Sequence, residues 1–120
     1  QCVAVRRDNG EKIVLSLDGL ADSVQGLLDD IHDGLYQRAL ESLESRVYDA
    51  ADWQTMSKLI AEKPGFVRAM WCGDLECELK IKEEIGATSS CMPFEQVQVA
   101  ETCVCCGKPA QKQVVWGKAY

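Results

Sequence analysis

The sequence predicts an α+β fold, a helical N-terminal half followed by a small mixed sheet with a crossover helix. Three observations carry that expectation. Between residues 18 and 47, Leu20, Val24, Leu27, Leu28, Ile31, Leu35, Ala39, Leu43 and Val47 recur at three- and four-residue spacing, the period of one helix face. From residue 66 onward the pattern changes to short β-rich runs broken by Gly and Pro. Two cysteine groups then flank this second region, Cys72 with Cys77 and a late cluster of Cys103, Cys105 and Cys106. In Cys103-Val104-Cys105-Cys106-Gly107, two thiols bracket two residues and a glycine follows, the usual turn for gripping a metal. With Cys72 and Cys77 it completes four thiolates, and four thiolates at about 2.3 Å make a closed structural Zn²⁺ site with no position for an activated water. The expected zinc is structural and clips the sheet.

The chain has 120 residues, about one domain by length and enough to bury a core. With 47% apolar and 27% charged residues it has an ordinary globular balance. A formal charge of -6 argues against gripping a nucleic-acid backbone alone, because that affinity comes from Lys and Arg displacing counterions. No stretch matches a membrane span or a signal peptide, so the cytoplasm is the expected compartment. Seven cysteines cannot all pair in a disulfide framework. A four-thiol site would leave Cys2, Cys91 and one of Cys105 or Cys106 as ordinary thiols.

Residues 1 to 17 read as a β-hairpin. Cys2, Val3 and Val5 lead in, Asp8-Asn9-Gly10 turns the chain, and Ile13, Val14, Leu15 and Leu17 return. The abrupt start at Gln1 suggests a piece of a larger protein whose sheet this hairpin completes. Arg6 and Arg7 beside the turn read as a solvated strand end, with RNA contact as the sharper alternative. Asp18 or Ser16 is placed to cap a helix running to about Val47. His32, the only histidine, falls inside that helix as an exposed polar residue.

Asp52 is expected to cap a shorter helix with Trp53, Met56, Leu59 and Ile60 on its buried side, ended by Lys63-Pro64-Gly65. Residues 66–71 read as a strand delivering Cys72. A third helix follows from about Asp74 to Glu84, with Leu75, Leu79 and Ile85 inward and Gly86 as its stop. Cys77 would sit in its first turn, where a helix N-terminus lowers a thiol's pKa. Residues 88–94 read as a strand parallel to 66–71 through a right-handed crossover, with Cys91 as a small core residue. Gln113-Val114-Val115-Trp116 is the last expected strand.

No phosphate loop or dinucleotide fingerprint occurs, and His32 has no nucleophile partner pattern. Asp29, Asp30, Asp33, Glu83 and Glu84 lie on helix faces where solvated charge is the ordinary explanation. No catalytic residues are expected in this segment.

Taken together, Met70-Trp71-Cys72-Gly73-Asp74, Cys77-Glu78, Ile81-Lys82-Glu83, the run from Ala87 to Phe94, Cys106-Gly107-Lys108-Pro109-Ala110, and the ending Trp116-Gly117-Lys118-Ala119-Tyr120 resemble the C-terminal zinc-binding domain of prolyl-tRNA synthetase, of the archaeal/eukaryotic type that some bacteria also carry. The resemblance covers the whole chain. It implies that residues 1–15 are the terminal hairpin of the anticodon-binding domain and residues 16–120 the zinc-binding domain. That family is a homodimeric, cytoplasmic class II ligase that attaches proline to tRNA(Pro) using ATP. Its catalytic domain, where ATP binds, does not match this sequence, so the segment alone is expected to be inactive.

The resemblance also implies ligands. Cys72 and Cys77 match the family's first pair, and Cys103 with Cys106 fits a CxxCG knuckle; Cys103 with Cys105 fits a CxC variant, which leaves Cys105 as the alternative to Cys106. Tyr120 matches the family's terminal tyrosine, whose tail reaches toward the catalytic domain. Two rival readings differ in class. A free-standing zinc-ribbon module for RNA or protein would need its own basic or apolar recognition face. A redox protein cycling a Cys103–Cys106 disulfide would leave Cys72 and Cys77 unexplained.

Overall fold

A short two-stranded ladder opens the chain, because Asp8-Asn9-Gly10 reverses it with Gly10 at φ 77°. The computed structural model describes all residues, 1–120. β1 (Cys2–Val5) and β2 (Lys12–Leu15) pair antiparallel, Val3 facing Val14 and Ala4 facing Ile13. α1 (Leu20–Glu44) follows, and residues Gln1–Ser42 form one compact unit. Arg6 is not a solvated strand end. Its guanidinium binds Asp8 at 3.0 Å and Asp30 of α1 at 2.9 Å, with the Arg6 and Asp8 side chains only 11% and 7% exposed. These bonds engage three of the guanidinium's N–H donors and tie the hairpin turn to α1.

α1 departs from expectation at both ends. It begins after Gly19, with Ser16 accepting only the Asp18 N–H, and it stops at Glu44. Val47 is therefore not on the helix but opens β3 (Val47–Asp49). Val-Tyr is a β-favouring pair, and the Arg46 carbonyl accepts the Phe66 N–H at 2.8 Å, which seeds pairing with the strand that follows. The expected packing stripe is shallow: no residue of α1 is buried, and Leu28, Leu35 and Leu43 are about half exposed. Within this unit only a two-stranded hairpin is available to cover it. His32 is exposed, as expected.

Residues Leu43–Tyr120 form the second unit. α2 (Trp53–Glu62) starts at Asp52, whose carboxylate accepts the Thr55 N–H at 2.8 Å and the Thr55 hydroxyl at 3.0 Å. β4 (Phe66–Trp71) then returns parallel to β3, so the parallel crossover in this protein is β3-α2-β4. α3 (Leu75–Ile85) ends at Gly86, whose N–H is taken by the carbonyls of Ile81 and Lys82. β5 (Ala87–Cys91) and β6 (Lys112–Lys118) complete a four-stranded mixed sheet in the order β3-β4-β6-β5. The strand after α3 runs in the same direction as β4 but does not pair with it. β6 lies between them, antiparallel to both, and is central rather than terminal.

Two burial expectations on this half are corrected. On α3 the inward residues are Cys77 and Ile81, one helical turn apart, while Leu75 and Leu79 are 64% and 47% exposed. Turning Cys77 inward fixes the rotation of the helix and carries residues two positions away outward. Cys91 is exposed, because β5 is an edge strand and its ladder shifts register between Ser89 and Cys91. The core lies where α2 and α3 cover one sheet face, with Met56, Val67, Ile81, Val114 and Trp116 at 2% exposure or less. The architecture is thus α+β with three helices and two small sheets.

Candidate metal centre

Four cysteines from two distant stretches meet at the end of β4. Cys72 follows the last residue of β4, Cys77 lies in the first turn of α3, and Cys103 and Cys106 sit in the loop that precedes β6. Their four Sγ atoms all lie within 4.8 Å of one another. The Sγ of Cys72 is 3.7 Å from that of Cys77 and 3.7 Å from that of Cys106. A tetrahedron of sulfurs about 2.3 Å from a central ion has edges of about 3.8 Å, so the donor set fits Zn²⁺ in number, chemistry and spacing. The group does not include Cys105, which is half-buried beside it, nor Cys2 or Cys91.

The backbone explains why these thiols converge. Cys103 donates its N–H to the Lys108 carbonyl at 2.7 Å, and the Gly107 N–H returns to the Cys103 carbonyl at 3.0 Å. This closed turn passes through Gly107 at φ 73°, a conformation that residues with a Cβ adopt at a cost. The turn is anchored to the sheet by the Val104 N–H on the Met70 carbonyl, 2.9 Å, and Val104 itself is buried in the core. The closed turn separates its thiols: Val104 is buried in the core, while Cys103 and Cys106, three residues apart across the turn, belong to the converging group.

Two partners that the sequence reading did not single out brace the other side. Asp74 receives the Trp71 indole N–H on its carbonyl at 3.0 Å and the Lys108 ammonium on its carboxylate at 3.4 Å. The second contact is a direct tie between the β4-α3 corner and the late turn. The signal available was the run Cys106-Gly107-Lys108, which places a cation immediately after a metal-type turn.

Electrostatics divides the thiols. Burial pushes Cys72 and Cys77 up, and for Cys77 this outweighs the helix N-terminus that was expected to lower it. Cys105 is also raised by burial. Cys106 is pulled down to about 7, first by the hydrogen bond from the Lys108 backbone N–H. Lys108 in turn is raised by its bond to Asp74. The exposed Cys106 is thus the readiest thiolate, while desolvation disfavours the charged form of Cys72 and Cys77. Tyr120 stands apart from this cluster, fully exposed two residues beyond β6, with the Lys118 ammonium 5.8 Å from its ring centre.

Fold and site together define a class, an α+β domain whose sheet end carries a four-cysteine cluster able to hold a metal ion. Residues 53–120 match the family model described as the C-terminal part of prolyl-tRNA synthetase, and this chain belongs to that family. Over all 120 residues it is 49% identical to "Proline--tRNA ligase 2" of Bacillus thuringiensis (strain Al Hakam). It is 52% identical over the same length to "Proline--tRNA ligase" of Clostridium botulinum (strain 657 / Type Ba4). In both comparisons all of this chain aligns, and it spans 25% of the relative.

Proposed function

We propose that this chain is the noncatalytic C-terminal segment of a proline--tRNA ligase, stabilised by one structural Zn²⁺ on Cys72, Cys77, Cys103 and Cys106. The observation that carries the reading is the convergence of those four sulfurs in a chain of this family. A closed four-thiolate site has no coordination position for substrate, so its contribution is mechanical. It ties the corner between β4 and α3 to the turn before β6, two stretches about thirty residues apart in the chain. Residues 1–15 are read as the last hairpin of the anticodon-binding domain and residues 16–120 as the zinc-binding domain.

On this reading the ligase chemistry, joining proline to tRNA(Pro) with ATP, belongs to the rest of the polypeptide, and the segment alone does not aminoacylate. Its partners are the catalytic and anticodon-binding domains of the same enzyme, and through them tRNA(Pro), in a cytoplasmic homodimer. No helix is long and apolar enough to cross a membrane. The exposed terminal Tyr120 is free to reach another domain. The test is deletion of Tyr120 in the full-length enzyme. Aminoacylation is expected to fall while zinc content stays at its original value; unchanged steady-state kinetics would remove the tail from the account.

A further inference from the structure

The four converging thiols differ in their access to solvent. Cys77 and Cys103 are buried, at 6% and 3% exposure, Cys72 is half-buried, and Cys106 is exposed. Thiols that hold a metal are thiolates, and a thiolate open to solvent is the form that oxidants attack. Cys106 therefore meets a dissolved oxidant first. Its Sγ lies 3.7 Å from that of Cys72, which belongs to the other stretch of the cluster. Two contacts hold those stretches together without a metal. The Lys108 ammonium sits 3.4 Å from the Asp74 carboxylate, and the Val104 N–H is bonded to the Met70 carbonyl at 2.9 Å. Cys105, the sequence neighbour of Cys106, is poorly placed to pair with it. Consecutive Cα atoms stand about 3.8 Å apart across a trans peptide, below the roughly 4.4–6.8 Å that a disulfide spans.

We infer that Cys106 is a peroxide-reactive modification site whose oxidation exchanges the metal for a Cys72–Cys106 disulfide. The inference rests on the four-thiolate reading of the site. The Cys106 sulfur attacks one oxygen of hydrogen peroxide; the O–O bond breaks, hydroxide leaves, and Cys106 becomes a sulfenic acid. The Cys72 sulfur then attacks the Cys106 sulfur, the S–O bond breaks, and a second hydroxide leaves. Two thiolates give up two electrons, the peroxide takes up both, and solvent protons turn the hydroxides into water. Cys77 and Cys103 are then half of a tetrahedral donor set, too few to retain the ion. Among the bonds open to Cys106, this one preserves the tie that the metal made. It joins residues 34 apart in sequence, and a cross-link over a longer loop restrains the unfolded chain more. A Cys103–Cys106 bond would close only the late turn, which its own backbone hydrogen bonds already close.

The test treats the zinc-loaded, reduced, ¹⁵N-labelled chain with hydrogen peroxide. Released zinc is followed with a chromophoric chelator, and the remaining thiols are alkylated before peptide mapping by mass spectrometry. The zinc content of the starting chain is read first. A chain without zinc counts against the metal site, while the linkage map judges the disulfide in either case. Exposed Cys91, outside the cluster, reports that oxidant has been delivered. The expected result is one zinc released for each disulfide, with Cys72–Cys106 as the first linkage. The oxidised chain should keep a dispersed ¹⁵N–¹H spectrum, and a thiol reductant should restore zinc uptake. Cys105→Ser should leave both the release and the linkage unchanged. Zinc that stays bound after Cys91 has fully reacted would overturn the inference. So would a first linkage that is Cys103–Cys106 or contains Cys105, or an oxidised chain that has lost its fold.

Discussion

Cys105 and Cys106 are adjacent in sequence, yet only Cys106 belongs to the converging set, and this makes a quantitative prediction. Apparent binding energies for structural zinc are about 10–16 kcal/mol, so one of four thiolates accounts for about 3 kcal/mol. At 1.4 kcal/mol per tenfold, Cys106→Ser should weaken zinc binding about 100-fold. The Sγ of Cys106 lies 3.7 Å from that of Cys72, a tetrahedral edge, and serine's harder oxygen cannot replace it at that distance. Cys105→Ser changes a half-buried thiol outside the group and should alter affinity less than about threefold, the scatter of neighbouring-group effects. Competition for zinc against a chromophoric chelator, at neutral pH with reductant, reads both values in one format. Equal losses in the two variants, or the larger loss in Cys105→Ser, would refute the assignment of the fourth ligand.

Two further predictions concern the scaffold. A Cβ at Gly65 would stand 2.0 Å from the Arg46 carbonyl oxygen, at φ +124°, so Gly65→Ala must displace the backbone that starts the β3-β4 pairing. Strain of about 1–3 kcal/mol plus a weakened hydrogen bond of about 1 kcal/mol gives a loss near 3 kcal/mol, measurable by urea unfolding of the zinc-loaded chain. A loss within about 0.5 kcal/mol, the range of inert surface changes, would contradict this. Asp8 is held below the ordinary carboxylate range, first by its hydrogen bond from Arg6. Its contribution to the hairpin unit is therefore present above that range and disappears as pH falls through the lowered value. A carboxyl NMR titration should place the Asp8 midpoint below the usual aspartate value of about 3.9, and Arg6→Gln should return it there. An unshifted midpoint in the parent chain would show that the ion pair does not hold in solution.

Much of this molecule is legible in the residues, for identifiable reasons. The Asp52 cap, the Gly86 stop and the hairpin turn are local features, set within a few residues of themselves. The four cysteines were legible because metal-type turns have their own spacing and glycine requirement. What could not be read were choices made by long-range pairing. Val47 continues the helical period of α1, yet β4 recruits it into a strand; the three-residue β3 has no pattern of its own to announce it. Residues 88–94 follow a helix and suggest a strand parallel to residues 66–71; β5 does run parallel to β4, but β6, arriving from residue 112, lies between them. The rotation of α3 was misread for a related reason. Leu75 and Leu79 are the more hydrophobic candidates, and the metal-type cluster overrides them by turning Cys77 and Ile81 inward. The helix N-terminus at Cys77 was weighed without its burial, which depends on the whole fold.

The most direct measurement of the central claim is native mass spectrometry of the purified, reduced chain, before and after mild acid. The account predicts one zinc per chain, lost on acidification as the thiolates take up protons, with all cysteines in the reduced form. A fully reduced, folded chain that takes up no zinc when the metal is supplied would contradict it.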